Sequence, residues 1–401
     1  MAMSPLFLVF SIWTGYLSVE ALLLRHWRNS MPFRISVSGT RGKTSLVRML
    51  ASVLREDGRR VVAKTTGSQA RILLPDGSEV PVRRRGMPSV LEQIGLLRLA
   101  VRERAQVLVT EIMSVHRENH LVESRRILRP HLVLMTNFRI DHPEAGGWTR
   151  TEVADLLLAD VVPGSTVLVP ETELEPGFAE AVAFLGGELK PVPSSWGDNP
   201  GSSAPPFLRD NLALVRAAAL ELGVAPASVD GGLRKARGDQ GGHWVRRYRG
   251  REGALALTVN AFAANDPQST EMILDWALGQ AGSEGGASET VGLLNLRPDR
   301  GDRTVQWLRA LDQGFGGRFR RLYVVGFHAQ AFRRALGRRG KGEAVFVLSD
   351  RSPERAMDRV LAEAGSSRPL IFGFGNYGGM GEAFVEHWLD QEHGKGETHG
   401  A

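Results

Sequence analysis

The chain contains no cysteine in 401 residues, which excludes disulfides, thiolate metal sites and a cysteine nucleophile. Any metal must be held by oxygen or imidazole ligands. A dominant charge is also missing: 50 lysines and arginines against 44 aspartates and glutamates leave +6, spread along the chain. A basic pocket for phosphates and carboxylates explains that balance as well as nucleic acid does, so no nucleic-acid partner is expected. Residues 1–19 carry no charged side chain, no lysine lies between Lys64 and Lys190, and no short internal repeat stands out. The length itself allows two or three domains with substantial cores.

The uncharged start is strongly apolar. Leu6 to Phe10, Ile12-Trp13, Tyr16-Leu17 and Ala21 to Leu24 together supply the roughly 20 residues that a helix needs to span hydrocarbon. Arg25, His26, Trp27, Arg28 and Arg34 follow at once, and basic flanks predict an outside N-terminus with the catalytic domains in the cytoplasm. Residues 1–28 therefore read as an anchor in the cell membrane. Glu20 is the objection, and an amphipathic or buried N-terminal helix is the alternative. A cleaved signal peptide fits less well, because there is no basic n-region or clear small-residue cleavage site.

Val37-Ser38-Gly39-Thr40-Arg41-Gly42-Lys43-Thr44-Ser45 is the most informative stretch. Phe33 to Val37 alternates as a short buried strand would, and Leu46, Met49, Leu50, Val53 and Leu54 fall on one helical face. The loop joins a strand to a helix N-terminus, where free backbone N–H groups and the helix dipole favour an anion. Gly39 and Gly42 let phosphate approach the backbone, with Thr40, Arg41 and Ser45 beside them. Lys43 can neutralise phosphate charge, and Thr44 can ligate magnesium. The upstream glycine is Gly39, with Val37 at its usual position, which makes the short form Gly-Thr-x-Gly-Lys-Thr. A nucleoside triphosphate is the expected ligand.

Strand and helix patterns then alternate. Strands are expected at Arg60 to Thr65, Gln106 to Thr110, Leu132 to Met135 and Ser165 to Val169, and helices at Val90 to Glu103, Trp148 to Asp160 and Asn211 to Leu222. This predicts a mostly parallel sheet covered by helices, with ligands at the carboxyl ends of strands, where Glu111, Thr136-Asn137 and Asp141-His142 fall. Residues 190–206, rich in Pro, Ser and Gly, read as a surface loop, and Arg234 to Gly253 as a charged crossover. A second alternation runs from strand Ala254 to Asn260, through helix Gln268 to Leu278 and a loop at 279–288, to helix Gly381 to Leu389. The expected domains are an apolar helix at 1–28, a central ATPase domain at 29–245, a C-terminal α/β domain at 246–390 and a disordered tail at 391–401.

Magnesium prefers oxygen ligands and keeps several waters, so Thr44, Glu111 and triphosphate oxygens make a reasonable site, with His142 a less typical ligand. On residue chemistry alone Glu111 reads more readily as a cap or ion pair, and His142 as structural. Arg297, Arg300 and Arg303 recur every third residue with Asp299 and Asp302 between them, just after a strand. Their forks suit a carboxylate or phosphate; a solvated cap of interlocking ion pairs is the other reading.

The phosphate loop, the Glu111 strand end, Thr136-Asn137 with Asp141-His142, and Asp210-Asn211 at a helix start together resemble the central ATPase domain of the Mur ligase superfamily. Lys64-Thr65-Thr66-Gly67, Glu111-Ile112-Met113-Ser114, Val259 to Asp266, Asn295 to Thr304 and Gly373-Phe374-Gly375-Asn376 narrow the resemblance to the ligase subunit of poly-γ-glutamate synthases, as far as about residue 390. The resemblance implies an α/β fold: a P-loop Mur-ligase-like ATPase domain with a mostly parallel sheet, then a C-terminal α/β domain. It implies an acid–amino-acid ligase using ATP and Mg2+, in which a γ-carboxylate becomes an acyl phosphate that the amine of glutamate attacks. Lys43, Glu111, His142, Arg297, Arg300 and Arg303 would be catalytic, and Thr44, Glu111 and His142 would hold the metal. Asn211 would lie on the adenine side, while Asn260, Asn265 and Asp266 would reach the nucleotide from the C-terminal domain. Implied partners are glutamate and the growing poly-γ-glutamate, small integral-membrane synthase and export subunits of a capsule system, and the membrane; a homo-oligomer is left open.

Two departures from the superfamily bear on this expectation. Mur enzymes commonly carry a lysine after the central histidine whose carbamate bridges metals, and none occurs here, so a bridged second metal is not expected. The usual N-terminal UDP-binding domain is missing, which disfavours a UDP-linked precursor. The alternatives are a folylpolyglutamate-like ligase acting on a soluble acceptor and a nucleotide-switched membrane assembly or transport ATPase.

Overall fold

The apolar runs become buried strands, as expected where helices cover both faces of a parallel sheet. The computed structural model describes residues 5–393 except 67–69, 85, 141–142, 198–205, 237–243, 252, 265, 284–288, 341, 343, 351 and 365–367. The chain forms two units, Met1–Ala204 with Leu208–Arg237, and Pro205–Phe207 with Gly238–Ala401.

The first unit holds eight strands: β1 (Phe33–Ser38), β2 (Val61–Lys64), β3 (Arg71–Leu73), β4 (Glu79–Pro81), β5 (Val107–Glu111), β6 (Leu132–Met135), β7 (Thr166–Pro170) and β8 (Glu188–Val192). They lie in the order β4-β3-β2-β5-β1-β6-β7-β8. All neighbours from β2 to β8 are parallel, while β3 and β4 add an antiparallel hairpin turned at Asp76-Gly77, where Gly77 adopts φ 87°. Central β1 pairs with β5 on one side and β6 on the other, in a register that sets Val37 beside Glu111 and Ser38 beside Met135. The phosphate loop therefore leaves the middle of the carboxyl edge, one residue beyond the level of Glu111.

Two helices flank β1. Helix α1 spans Pro5–Asn29 and α2 spans Lys43–Glu56. One face of α2 is buried through Leu46, Leu50, Val53 and Leu54, each of which contributes about 1.5–3 kcal/mol by leaving water. On its outer side α2 meets the helix Pro226–Lys235, and Ser52 Oγ donates to the Gly232 carbonyl at 2.8 Å. A side chain at Gly232 would strike the Val53 backbone, whose nitrogen lies 2.8 Å from the site of a Cβ. In α1, Phe7–Asn29 is long and apolar enough to cross a membrane, and the span has a mean hydropathy of 1.7. Its end is fixed to the core: Leu24 and Trp27 pack on an apolar cluster, and the buried Arg34 guanidinium donates to the carbonyls of Arg28, Met31, Leu128 and Arg129 at 2.7–3.1 Å.

Strand β2 ends on Lys64, which is 1% exposed and lies 2.9 Å from Glu92. Burial alone would raise the Glu92 carboxyl, but hydrogen bonds from Arg84 and Lys64 outweigh it and hold the group at about 2, against an ordinary 4.5. A depressed carboxyl contributes stability that is present above its unfolded value and lost as pH falls through the folded one. Stability should therefore decline between about pH 4.5 and 2, and Glu92→Gln should flatten that part of the profile. Superimposable acid profiles of the two proteins in urea melts would refute this assignment.

The second unit holds β9 (Trp244–Arg249), β10 (Leu255–Asn260), β11 (Thr290–Leu296), β12 (Arg321–Gly326), β13 (Val345–Val347) and β14 (Leu370–Gly375) in the order β13-β12-β11-β14-β10-β9. Only β9 runs antiparallel to its neighbour. Trp307, Phe315, Phe319 and Phe374 fill one side of this sheet, with Trp307 edge-on to Phe374 at 5.0 Å between ring centres.

Several expectations are corrected. The crossover region contains β9, an edge strand whose arginines resemble a solvated linker although Tyr248 is buried; charge on an edge discourages further strand pairing. The loop expected from residue 190 is occupied at its start by the end of β8 and a helical turn at Ser194–Gly197, because β8 pairs with β7 along its length and buries Val192 although its composition is polar. Helix Pro267–Ser283 runs past Leu278, and helix Met380–His393 runs past Leu389. Residues 394–401 of the expected tail lie outside the described residues. Asn211 sits inside the helix Pro206–Glu221 rather than at its start.

Candidate active site

Gly39 and Gly42 take φ values of 111° and 80°, a region that side-chain-bearing residues avoid. A Cβ at Gly39 would collide with the Thr136 hydroxyl and stand 2.9 Å from the Thr136 nitrogen, and one at Gly42 would stand 2.6 Å from Asn211 Nδ2. The loop is held from outside by Asn137. Its Oδ1 accepts from Thr40 Oγ1 at 2.7 Å and from the Arg41 N–H at 3.2 Å, and its Nδ2 donates to the Arg41 carbonyl at 2.9 Å. Asn211 Nδ2 donates to the Gly42 carbonyl at 3.2 Å. Gly42 then caps α2, whose first residues are Lys43, Thr44 and Ser45.

Lys43 folds back over the loop, with Nζ 2.6 Å from the Gly39 carbonyl and 3.3 Å from that of Thr40. Thr44 Oγ1 donates to Glu111 Oε2 at 2.9 Å, and the Thr66 N–H donates to the same oxygen at 2.9 Å. The structure thus brings together Gly39, Thr40, Arg41, Gly42, Lys43, Thr44, Ser45, Glu111 and Asn211. His142, with Asp141, lies outside the described residues.

Among the described residues no group of three or more His, Asp or Glu side chains could hold a metal by itself. A hydroxyl and a carboxylate at a helix N-terminus fit an ion that draws its remaining oxygens from phosphate and water, as magnesium does. The two glycine positions that a Cβ would fill fit a phosphate chain lying against the backbone.

In the second unit, Asn260 closes β10 fully buried, with Oδ1 3.3 Å from the Phe262 nitrogen. Asp266 caps the helix Pro267–Ser283 by accepting from the Ser269 N–H at 2.8 Å, and Asn265 lies outside the described residues. The three arginines have separate surroundings. Arg297 forks onto Asp299 at 2.9 and 2.8 Å and holds that carboxyl below the usual range. Arg300 is the N-cap of the helix Gly301–Asp312, and Arg303 is buried in its first turn. The neighbouring strand ends are laced by amides: Asn295 Nδ2 donates to the carbonyls of Asn376 and Gly378 at 2.6 and 3.0 Å, and Asn376 Nδ2 donates back to Asn295 at 3.1 Å.

The sequence reading passes over a buried polar set behind the loop. His120 Nδ1 lies 2.9 Å from Asp160, which also accepts from Ser124 Oγ at 2.7 Å and from the hydroxyl of Ser38, the last residue of β1. Burial pushes the His120 imidazole down, and the Asp160 carboxylate outweighs it and holds it above its ordinary value. Glu123 is fully buried nearby. His120, Glu123 and Ser124 sit on a helix, Arg117–His120, that continues as a π-helix, Leu121–Leu128. The inward positions His120, Glu123, Ser124, Ile127 and Leu128 follow helical spacing; three of the five are polar, so an apolar template misses them.

Comparison with known proteins accords with this arrangement. A family model of the Mur ligase middle domain matches residues 37–155, and one of the poly-gamma-glutamate synthase CapB C-terminal domain matches residues 245–391. The capsule biosynthesis protein CapB of Bacillus anthracis is 30% identical over 291 residues, 70% of this chain and 61% of that protein, so the match spans about three fifths of that relative's length. PGA synthase CapB of Bacillus subtilis (strain 168) is 25% identical over 377 residues, 90% of this chain and 92% of that one. Among solved structures, E. coli FolC aligns over 96% of this chain and 98% of its own with a TM-score of 0.67 at 16% identity. MurF from Acinetobacter baumannii aligns over 94% and 79% with a TM-score of 0.61 at 15% identity. Identities this low establish the fold alone. With a Mur ligase middle domain, a CapB C-terminal domain and this fold in one chain, the protein belongs to the Mur ligase superfamily and, within it, to the CapB family.

Proposed function

We propose that the chain is an ATP- and magnesium-dependent amide ligase that extends a γ-linked glutamate polymer. The observation that carries this reading is the Thr44–Glu111 pair at the mouth of a phosphate loop, in a chain whose C-terminal domain is of the CapB type. The fold neighbours support a nucleotide and a divalent ion: FolC of E. coli was solved with ADP, the Yersinia pestis folylpolyglutamate synthase/dihydrofolate synthase with AMPPNP and Mn, and a bifunctional folylpolyglutamate synthase/dihydrofolate synthase with Mn, AMPPNP and L-glutamate.

On this reading the loop from Gly39 to Gly42 and the N-terminus of α2 hold the phosphates, and Lys43 exchanges its loop carbonyls for phosphate oxygens. Thr44 and Glu111, with His142, hold the magnesium, while Asn211 steadies Gly42 and lies toward the adenine. ATP supplies a phosphoryl group to the γ-carboxylate at the chain end. The amine of an incoming glutamate displaces phosphate from the resulting acyl phosphate, forming the amide and losing a proton. Positioning and charge neutralisation carry most of such a transfer. Within the second unit, Arg297, Arg300 and Arg303 are the groups offered to substrate carboxylates, for which Arg297 must release Asp299. Helix α1 tethers the enzyme to the membrane beside small export subunits, with both units in the cytoplasm.

The test is incubation of the full chain in membranes with ATP, magnesium and labelled glutamate. Glutamate-dependent phosphate release and labelled polymer are expected. Hydrolysis that ignores glutamate, with no incorporation, would sink the ligase reading and favour a nucleotide-switched ATPase.

A further inference from the structure

The segment Arg117–Leu128 touches both halves of the candidate site from behind. Glu123 receives four donor groups: Gln93 Nε2 at 2.6 Å, the Met113 N–H at 3.2 Å, the Ser114 N–H at 3.1 Å and Ser114 Oγ at 2.6 Å. Met113 and Ser114 are the second and third residues after Glu111, the end of β5. Gln93 extends the hold, since Nε2 stands 3.5 Å from the Glu111 carbonyl oxygen and Oε1 accepts from Thr110 Oγ1 at 3.2 Å. On the same segment, His120 and Ser124 bind Asp160, and Asp160 binds Ser38 immediately before Gly39. A buried carboxylate survives in such surroundings through its donors, and removing it leaves those donors unpaired.

We propose that Arg117–Leu128 is a positioning element for the nucleotide site, in which Glu123 holds the strand end bearing Glu111 and His120, through Asp160, holds the strand end that opens into the phosphate loop. This rests on the nucleotide-and-metal reading above. The two nodes should separate functionally. Glu123 acts on the metal carboxylate, and groups that orient a ligand from behind typically change metal affinity by about 10–100-fold. His120 acts on the root of the phosphate cradle, which the nucleotide needs with or without metal.

The experiment measures binding of a fluorescent ADP analogue to the full chain in EDTA and in Mg2+, with Mn2+ affinity read by electron paramagnetic resonance. Glu123→Gln should weaken Mn2+ binding and the Mg2+-dependent gain by about tenfold, with affinity in EDTA held within about twofold. His120→Ala should weaken binding in EDTA and Mg2+ alike, and His120→Asn, which can restore a donor toward Asp160, should recover part of the loss. Equal losses in both conditions for both positions, or unchanged binding with a lowered melting temperature, would overturn the proposal. If either variant fails to fold, Ser114→Ala and Ser124→Ala, which each delete one hydroxyl from the same nodes, should show the same split at smaller amplitude; no change in either would overturn it equally. A wild-type chain that binds no ADP in either condition would instead remove the functional reading beneath it.

Discussion

Lys43→Ala should abolish nucleotide-dependent activity, lowering kcat/KM by about 10²–10³-fold or more, the range seen when a fixed donor to developing charge is removed. The ammonium already lies over the loop, 2.6 Å from the Gly39 carbonyl, so little reorganisation separates it from a phosphate oxygen. The fold should survive. The loop is clamped independently by Asn137 and Asn211, and Lys43 is half-buried rather than part of the core. The measurement is glutamate-dependent phosphate release alongside a melting curve. Retained polymer synthesis in a folded variant would refute the phosphate role of Lys43.

Glu111→Gln should have the second largest effect, a loss on the order of 10²–10³-fold, because metal charge stabilisation is worth several kcal/mol and each 1.36 kcal/mol is tenfold. The exchange is selective. One oxygen, Oε2, accepts from both Thr44 Oγ1 and the Thr66 N–H, and a glutamine carbonyl can keep both bonds while removing the negative charge. Loop geometry and metal-free nucleotide binding should therefore persist, with the magnesium requirement shifted to higher concentration. An unchanged magnesium titration would show that Glu111 is a loop anchor and nothing more.

Legibility followed burial chemistry. Strands β5, β6 and β7 carry continuous apolar runs because both their faces are covered, β1 alternates apolar with polar residues, and α2 shows its inward stripe because every inward position but Ser52 is apolar. The turns that end these elements carry Gly39, Gly42 and Glu111, so those site residues could be read from the chain. The segment 117–128 could not be read this way, since its inward face carries His120, Glu123 and Ser124 and their cost is met by partners far along the chain. The separate surroundings of the three arginines were illegible for a related reason. A three-residue spacing implies a shared face only inside one helix, and here Arg297 precedes the helix, Arg300 caps it and Arg303 lies within it.

What the sequence by itself determined is therefore local: a strand, a glycine loop that only φ-permissive residues can form, a helix N-terminus with Lys43 and Thr44, and an apolar N-terminal helix. Tertiary structure decided what those parts face. The strand order places β5, 67 residues along from Thr44, directly beside β1, so that Glu111 meets the Thr44 hydroxyl. It also sets the polar face of 117–128 beneath both strand ends. Side-chain periodicity records which residues turn inward, whereas strand pairing is a choice among many nearly equivalent apolar edges, settled by the packing of the whole unit.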